Sequence, residues 1–139
     1  MKRALNCLAV LVFIGGCGSS SPTESVTSAV LVDEQSTIEA DRFRITAFEV
    51  SEFMIDAALL ITVGSTLPVS VVVLDDANFA LWEAGSPSSA IFDSAPATNV
   101  SIEVTLSQLG VYHFILSNRG SDTAAVANVL GELFWITLQ

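Results

Sequence analysis

Val100-Ser101-Ile102-Glu103-Val104-Thr105-Leu106 alternates without a break. Successive side chains of an extended chain point to opposite faces, so Val100, Ile102, Val104 and Leu106 share one side while Ser101, Glu103 and Thr105 share the other. Such a segment is a β-strand with one face in a core and one in water. Downstream, Gly110 leads into Val111 to Leu116, with Tyr112, Phe114 and Leu116 facing in and Val111, His113 and Ile115 opposite. Ser117 to Asp122 is a turn in which Asn118 and Gly120 are suited to positive φ. Val126 to Leu130 and Leu133 to Ile136 complete the pattern, and Gly131 between them marks a bulge.

Working upstream, Val69 to Leu74 is almost wholly apolar and reads as a central strand covered on both faces. Gly64-Ser65-Thr66-Leu67-Pro68 reads as the turn before it, and Ala57 to Val63 as the strand before that turn. In Arg42 to Val50, Phe43 and Ile45 lie on one parity but Phe48 and Val50 on the other. Either the strand is buried on different faces at its two ends, or a bulge near Ala47 resets it. Ala29 to Val32 is a first short strand, ended by Asp33-Glu34-Gln35-Ser36. After Leu74, Asp75 to Glu83 breaks the period-two pattern and reads as a helical turn plugging one end, with Phe79 and Trp82 on one side. Ala90 to Phe92 is a short edge strand. Many short strands with regular turn signals predict an all-β fold, an antiparallel, jelly-roll-like β-sandwich of about seven to nine strands following an N-terminal signal segment.

The beginning of the chain has a different grain. Lys2 and Arg3 precede an apolar run from Ala4 to Ile14, and Phe13-Ile14-Gly15-Gly16-Cys17 follows. The run is shorter than the roughly 20 residues a membrane helix needs, and its basic start and small-residue end are those of a signal segment. The Phe13 to Cys17 stretch resembles the lipobox of bacterial lipoproteins. That resemblance implies cleavage by signal peptidase II before Cys17 and a diacylglycerol on its thiol. The domains are then a signal peptide over 1–16, a flexible tether over 17–25 and a β-sandwich over 26–139. Gly18 is not the aspartate that favours inner-membrane retention. The implied location is the bacterial cell envelope, at the outer membrane if the organism is Gram-negative.

Processing would sharpen the composition. Cys7 leaves with the leader and Cys17 carries lipid, so no disulfide remains to the domain. Only Arg42, Arg44 and Arg119 stand against 15 acidic residues, and no lysine is left. Such a surface repels nucleic acid, which is excluded as a partner. The expected partners are the membrane, through the anchor, and another envelope protein.

The run Val69 to Phe79 with Trp82, and the later Gly110-Val111-Tyr112-His113-Phe114-Ile115-Leu116-Ser117-Asn118, resemble small sandwiches of secreted and envelope proteins. Golgi-dynamics (GOLD) domains and bacterial prepeptidase C-terminal domains are similar. In them a strand leads into an aspartate-rich turn with aromatics, and a glycine-tyrosine strand ends in an asparagine turn. The resemblance implies a module that binds proteins, sugars or calcium, or supports a neighbouring domain.

Chemistry-bearing residues are few. His113 is the single histidine, and no Gly-x-Ser-x-Gly nucleophile elbow occurs, so no enzymatic activity and no catalytic residue is expected. Asp75, Asp76 and Asn78 place three oxygen-bearing side chains within four residues. Hard oxygen ligands suit Ca²⁺, although the same residue types also cap helical turns. Trp82, on the same turn, is the candidate stacking platform for a sugar ring. No cofactor is expected beyond the lipid on Cys17 and this candidate calcium. The expectation is a lipid-anchored envelope protein with a non-enzymatic interaction or structural module, the alternative being a carbohydrate- or calcium-binding module centred on Asp75 to Trp82.

Overall fold

The computed structural model describes residues 21–139. The expected signal peptide, Cys17 and the first part of the expected tether lie outside the described residues. The elements run β1 (Glu24–Ile38), β2 (Phe43–Val50), β3 (Ile55–Asp75), α1 (Asp76–Glu83), β4 (Phe92–Asp93), β5 (Ala97–Thr105), β6 (Gly110–Ser117) and β7 (Ala125–Leu138). The fold is the expected all-β antiparallel sandwich, with seven strands. One layer is β1-β7-β3-β5 and the other β2-β6-β3-β4, so β3 belongs to both.

That double membership corrects the reading of Gly64 to Pro68. Ala58 to Ser65 pairs with β7 and Ser70 to Asp75 with β6, so the stretch is a corner within one long strand, not a hairpin turn. A strand that bends there carries its inward face from one sheet to the next. Leu59, Ile61 and Val63 are buried before the corner; Val69, Val71 and Val73 are buried after it. The parity never changes. Fully burying a side chain of this size stabilises the fold by about 1.5–3 kcal/mol, so β3 anchors both layers.

The other strands follow their predicted faces with local corrections. Tyr112, Phe114 and Leu116 pack in the main core with Val100, Val104 and Leu106. β2 is covered at opposite ends on opposite faces, and no bulge is needed, because its pairing with β6 is regular throughout. Phe48 and Val50 enter the main core, whereas Phe43 packs outside with Val72, Leu74 and Ile115. The nearly continuous apolar run of Val69 to Leu74 is covered on both sides, as its composition predicts.

β1 begins at Glu24, so the last two residues assigned to the tether are in the sheet. It also continues through Asp33 to Ser36, because charged side chains are tolerated on an edge strand whose outer face is solvated. Its register shifts between Val30 and Val32, opposite Glu132 and Gly131. The bulge is therefore on β1, not at Gly131. Gly131 instead leaves room for the bulged strand, since a Cβ there would lie 3.1 Å from Val32 Cγ1 and 3.3 Å from Phe114 Cε1.

α1 is two turns of helix and lies on the outer face of the second sheet, where Phe79 and Trp82 cover Val72, Leu74 and Ile115. It does not plug an end. Asn118 does not take positive φ, which in its turn falls to Gly120 at φ 81°. Its buried side chain donates from Nδ2 toward the carbonyls of Ile38, Glu39 and Thr123, tying the β1–β2 and β6–β7 turns together.

Candidate functional site

Asp75, Asp76, Asn78 and Trp82 fall together at the β3–α1 junction, but their polar atoms engage different partners. Asp75 is extended, at φ −72° and ψ 168°, and its Oδ1 accepts from the Asn78 backbone N–H at 2.8 Å. This is the N-cap geometry that satisfies one of the unpaired donors at a helix start. Asn78 Nδ2 lies 3.1 Å from each Asp75 carboxylate oxygen, while Asn78 Oδ1 accepts from the Ser89 N–H at 2.8 Å. A cation between Asp75 and Asn78 would have to displace these bonds. Among the described residues, no group of three or more histidine, cysteine, aspartate or glutamate side chains is placed to hold a metal.

Asp76 turns the other way. Its Oδ1 lies 2.9 Å from His113 Nε2, with Asp76 largely exposed and His113 largely buried. The His113 ring stacks on Phe79 at 3.9 Å between centroids and 15° between planes. Its Nδ1 is buried without a hydrogen-bond partner. Among the described residues, no serine stands on either ring nitrogen, and His113 meets a carboxylate and an aromatic face.

The stack continues across the sheet. Phe79 lies 6.3 Å from Trp82, and Trp82 meets Phe43 edge-on at 4.9 Å. The Arg119 guanidinium sits 4.2 Å from the Trp82 ring centre and 4.6 Å from that of Phe43. A cation over an aromatic face is attracted by the ring quadrupole, worth about 0.5–1 kcal/mol at exposed sites. Trp82 is therefore half-buried and already has a planar cation on one ring face. The sequence placed Trp82 with Phe79 on one side of a helical turn but did not show Arg119. Pairing of Phe43 with Ser117 brings the β6–β7 turn beside the start of β2.

A second polar feature lies on the outer face of the first sheet. Gln35 pairs with Asn128, Asn128 with Gly64, and Gly64 with Asn99, which sets three amide side chains in one row across four strands. Gln35 Nε2 donates to Asn128 Oδ1 at 3.2 Å. With no side chain at Gly64, an open trough of about 380 Å³ runs beside Asp33, Gln35, Thr62 and Asn128. These residues are distant in sequence and only strand register unites them.

No family model and no curated protein matches the chain. Among solved structures, it is similar to the Yersinia pseudotuberculosis-derived mitogen, with 10% identity, a TM-score of 0.41, and coverage of 86% of this chain and 88% of that one. It is also similar to the pre-peptidase C-terminal domain of a collagenase from Bacillus anthracis. There the identity is 10%, the TM-score 0.41, and the coverage 82% and 89%. Both likenesses concern the fold alone.

Proposed function

We propose that this chain is a lipid-anchored protein of the bacterial envelope whose sandwich is a non-enzymatic interaction or structural module. The observation that carries the reading is the Phe13 to Cys17 motif, followed after residues 18–23 by the first strand of a single β-domain. The acylated Cys17 holds the domain at a membrane, the outer one in a Gram-negative cell, where it meets another envelope protein. The engagement of His113 by Asp76 and Phe79, with no serine of the described residues on its ring, supports a non-catalytic role. The test is metabolic labelling with a fatty acid. The wild-type chain takes up label and fractionates with membrane, and Cys17→Ser abolishes both; a Cys17→Ser protein that still labels and sediments with membrane refutes the anchor.

A second reading, a carbohydrate-binding module, is favoured by the amide row Gln35-Asn128-Asn99 more than by Asp75 to Trp82, whose polar atoms are bonded to their neighbours. Amides supply both donors and acceptors for sugar hydroxyls. Retention on a glycan array that is lost in Asn128→Ala supports it. No retention by the wild type rejects it. The calcium reading of Asp75, Asp76 and Asn78 predicts a melting shift in millimolar Ca²⁺, and its absence rejects that reading.

A further inference from the structure

The molecule has two chemically different ends. At one, Val26 pairs with Ile136, which pairs in turn with Ile55. Phe53 lies in the turn just before Ile55, and Leu109 in the turn just before Gly110, which pairs with Val50 at the end of β2. Leu138 pairs with Glu24. Val26 is 76% exposed, Phe53 73%, Leu109 64%, Leu138 52% and Ile55 38%. Isolated exposed apolar residues need no explanation, but a gathered set marks a surface that meets something apolar. The three arginines of the described residues lie elsewhere. Arg42 and Arg119 are in the turns at the opposite end, and Arg44 is beside Leu116 near it.

Where the chain enters the domain identifies the occupant. Thr23 and Gln139 pair through their backbones at the apolar end, each N–H donating to the other's carbonyl. Residues 18–23 are all that separate Cys17 from β1. Fully extended, a segment of that length reaches at most about 25 Å, and relaxed about 15 Å. An acylated Cys17 thus keeps this end, and not the arginine end, against the bilayer. Tethering at short range raises the effective concentration to roughly the millimolar range, so a weak apolar contact is populated. Glu24, Glu49, Glu52 and Asp56 are exposed around the same end, and they repel anionic headgroups.

We infer that the end bearing Val26, Phe53, Ile55, Leu109 and Leu138 docks onto a zwitterionic lipid surface, with Phe53 and Leu109 as loop-borne insertions. The inference rests on the lipid-anchor reading. In the test, full-chain protein purified from membranes is reconstituted into phosphatidylcholine vesicles, after labelling a single introduced cysteine with an environment-sensitive fluorophore. Labels at Phe53→Cys and Leu109→Cys shift to the blue and lose at least twofold intensity to acyl-chain-brominated lipid. A label at Asp122→Cys does neither, and adding phosphatidylglycerol weakens the quenching.

Labels at 53 and 109 that stay as water-like as that at 122, in protein that floats with the vesicles, overturn the docking and leave the anchor standing. A blue shift without bromine quenching assigns the surface to a second copy or another protein and overturns it equally. Protein that neither takes up fatty acid nor floats overturns the anchor, and the docking with it.

Discussion

Asp75 is the residue whose chemistry is most easily misread, because an aspartate beside Asp76 and Asn78 has the composition of a ligand set and the geometry of a cap. Its Oδ1 holds the Asn78 N–H while Asn78 reaches back with its own amide, so the pair orders the first turn of α1. Replacing a capping aspartate with alanine costs about 1 kcal/mol, while asparagine retains the acceptor. Asp75→Ala is therefore expected to lower the urea midpoint by an amount equivalent to about 1 kcal/mol, with Asp75→Asn close to wild type. Because Trp82 sits on the same helix, its fluorescence should red-shift in Asp75→Ala before global unfolding. Equal midpoints for alanine and wild type would mean that the cap contributes nothing. The composition of this junction was legible in the sequence; its bonding was not. A side chain's partner depends on dihedral angles that residue type does not specify, and Arg119 over Trp82 depends on a register that joins residues far apart.

At the scale of elements, alternation carried most of the fold, and punctuation misled. Val100 to Leu106 shows its faces directly, because a one-residue error would place every apolar side chain in water, whereas Tyr112 to Leu116 is buried on both faces, with Ile115 under α1. Gly64 to Pro68 has the residue types of a turn, yet the unbroken odd parity from Val63 to Val69 already held the evidence for a continuous strand. Asp33 to Ser36 misled for the opposite reason, since an edge strand tolerates charges that a central strand would not. Gly131 shows how a glycine's role depends on its neighbours. Its hydrogen faces Val32 Cγ1 and the Phe114 ring, so the β1 bulge and the buried ring share the space a side chain would need. Overpacking such a site typically costs about 1–3 kcal/mol. Gly131→Val should lower stability by that amount in urea denaturation, whereas Asn128→Val, three residues away on the exposed face, should have much less effect. A Gly131→Val protein as stable as wild type would mean that β1 and Phe114 relax without strain.

Across the whole molecule, charge opposes compactness. Fifteen acidic residues face three arginines over the described domain, and the one arginine–carboxylate ion pair there, Arg44 with Glu34 at 2.8 Å, has both side chains about half exposed. Exposed pairs of that kind contribute little, so screening removes more repulsion than attraction. The direction of the salt effect follows. Lowering ionic strength from about 0.15 M to about 0.01 M lengthens the Debye distance from about 8 Å to about 30 Å, so acids on different strands begin to act on one another. The residue 21–139 domain should then melt at a lower temperature. A loss of about 1 kcal/mol corresponds to a fall of roughly 3–6 °C for a domain of this size. Scanning calorimetry in sodium chloride below about 0.2 M confines the effect to screening, before salts act on apolar hydration. A melting temperature that rises as salt is removed would show that attractive pairs outweigh the acidic field. Because the arginines are grouped away from the apolar end, the repulsion is least relieved where β1 enters the domain. Hydrogen exchange at low salt should accordingly rise first at the paired ends of β1 and β7, around Val26 and Ile136.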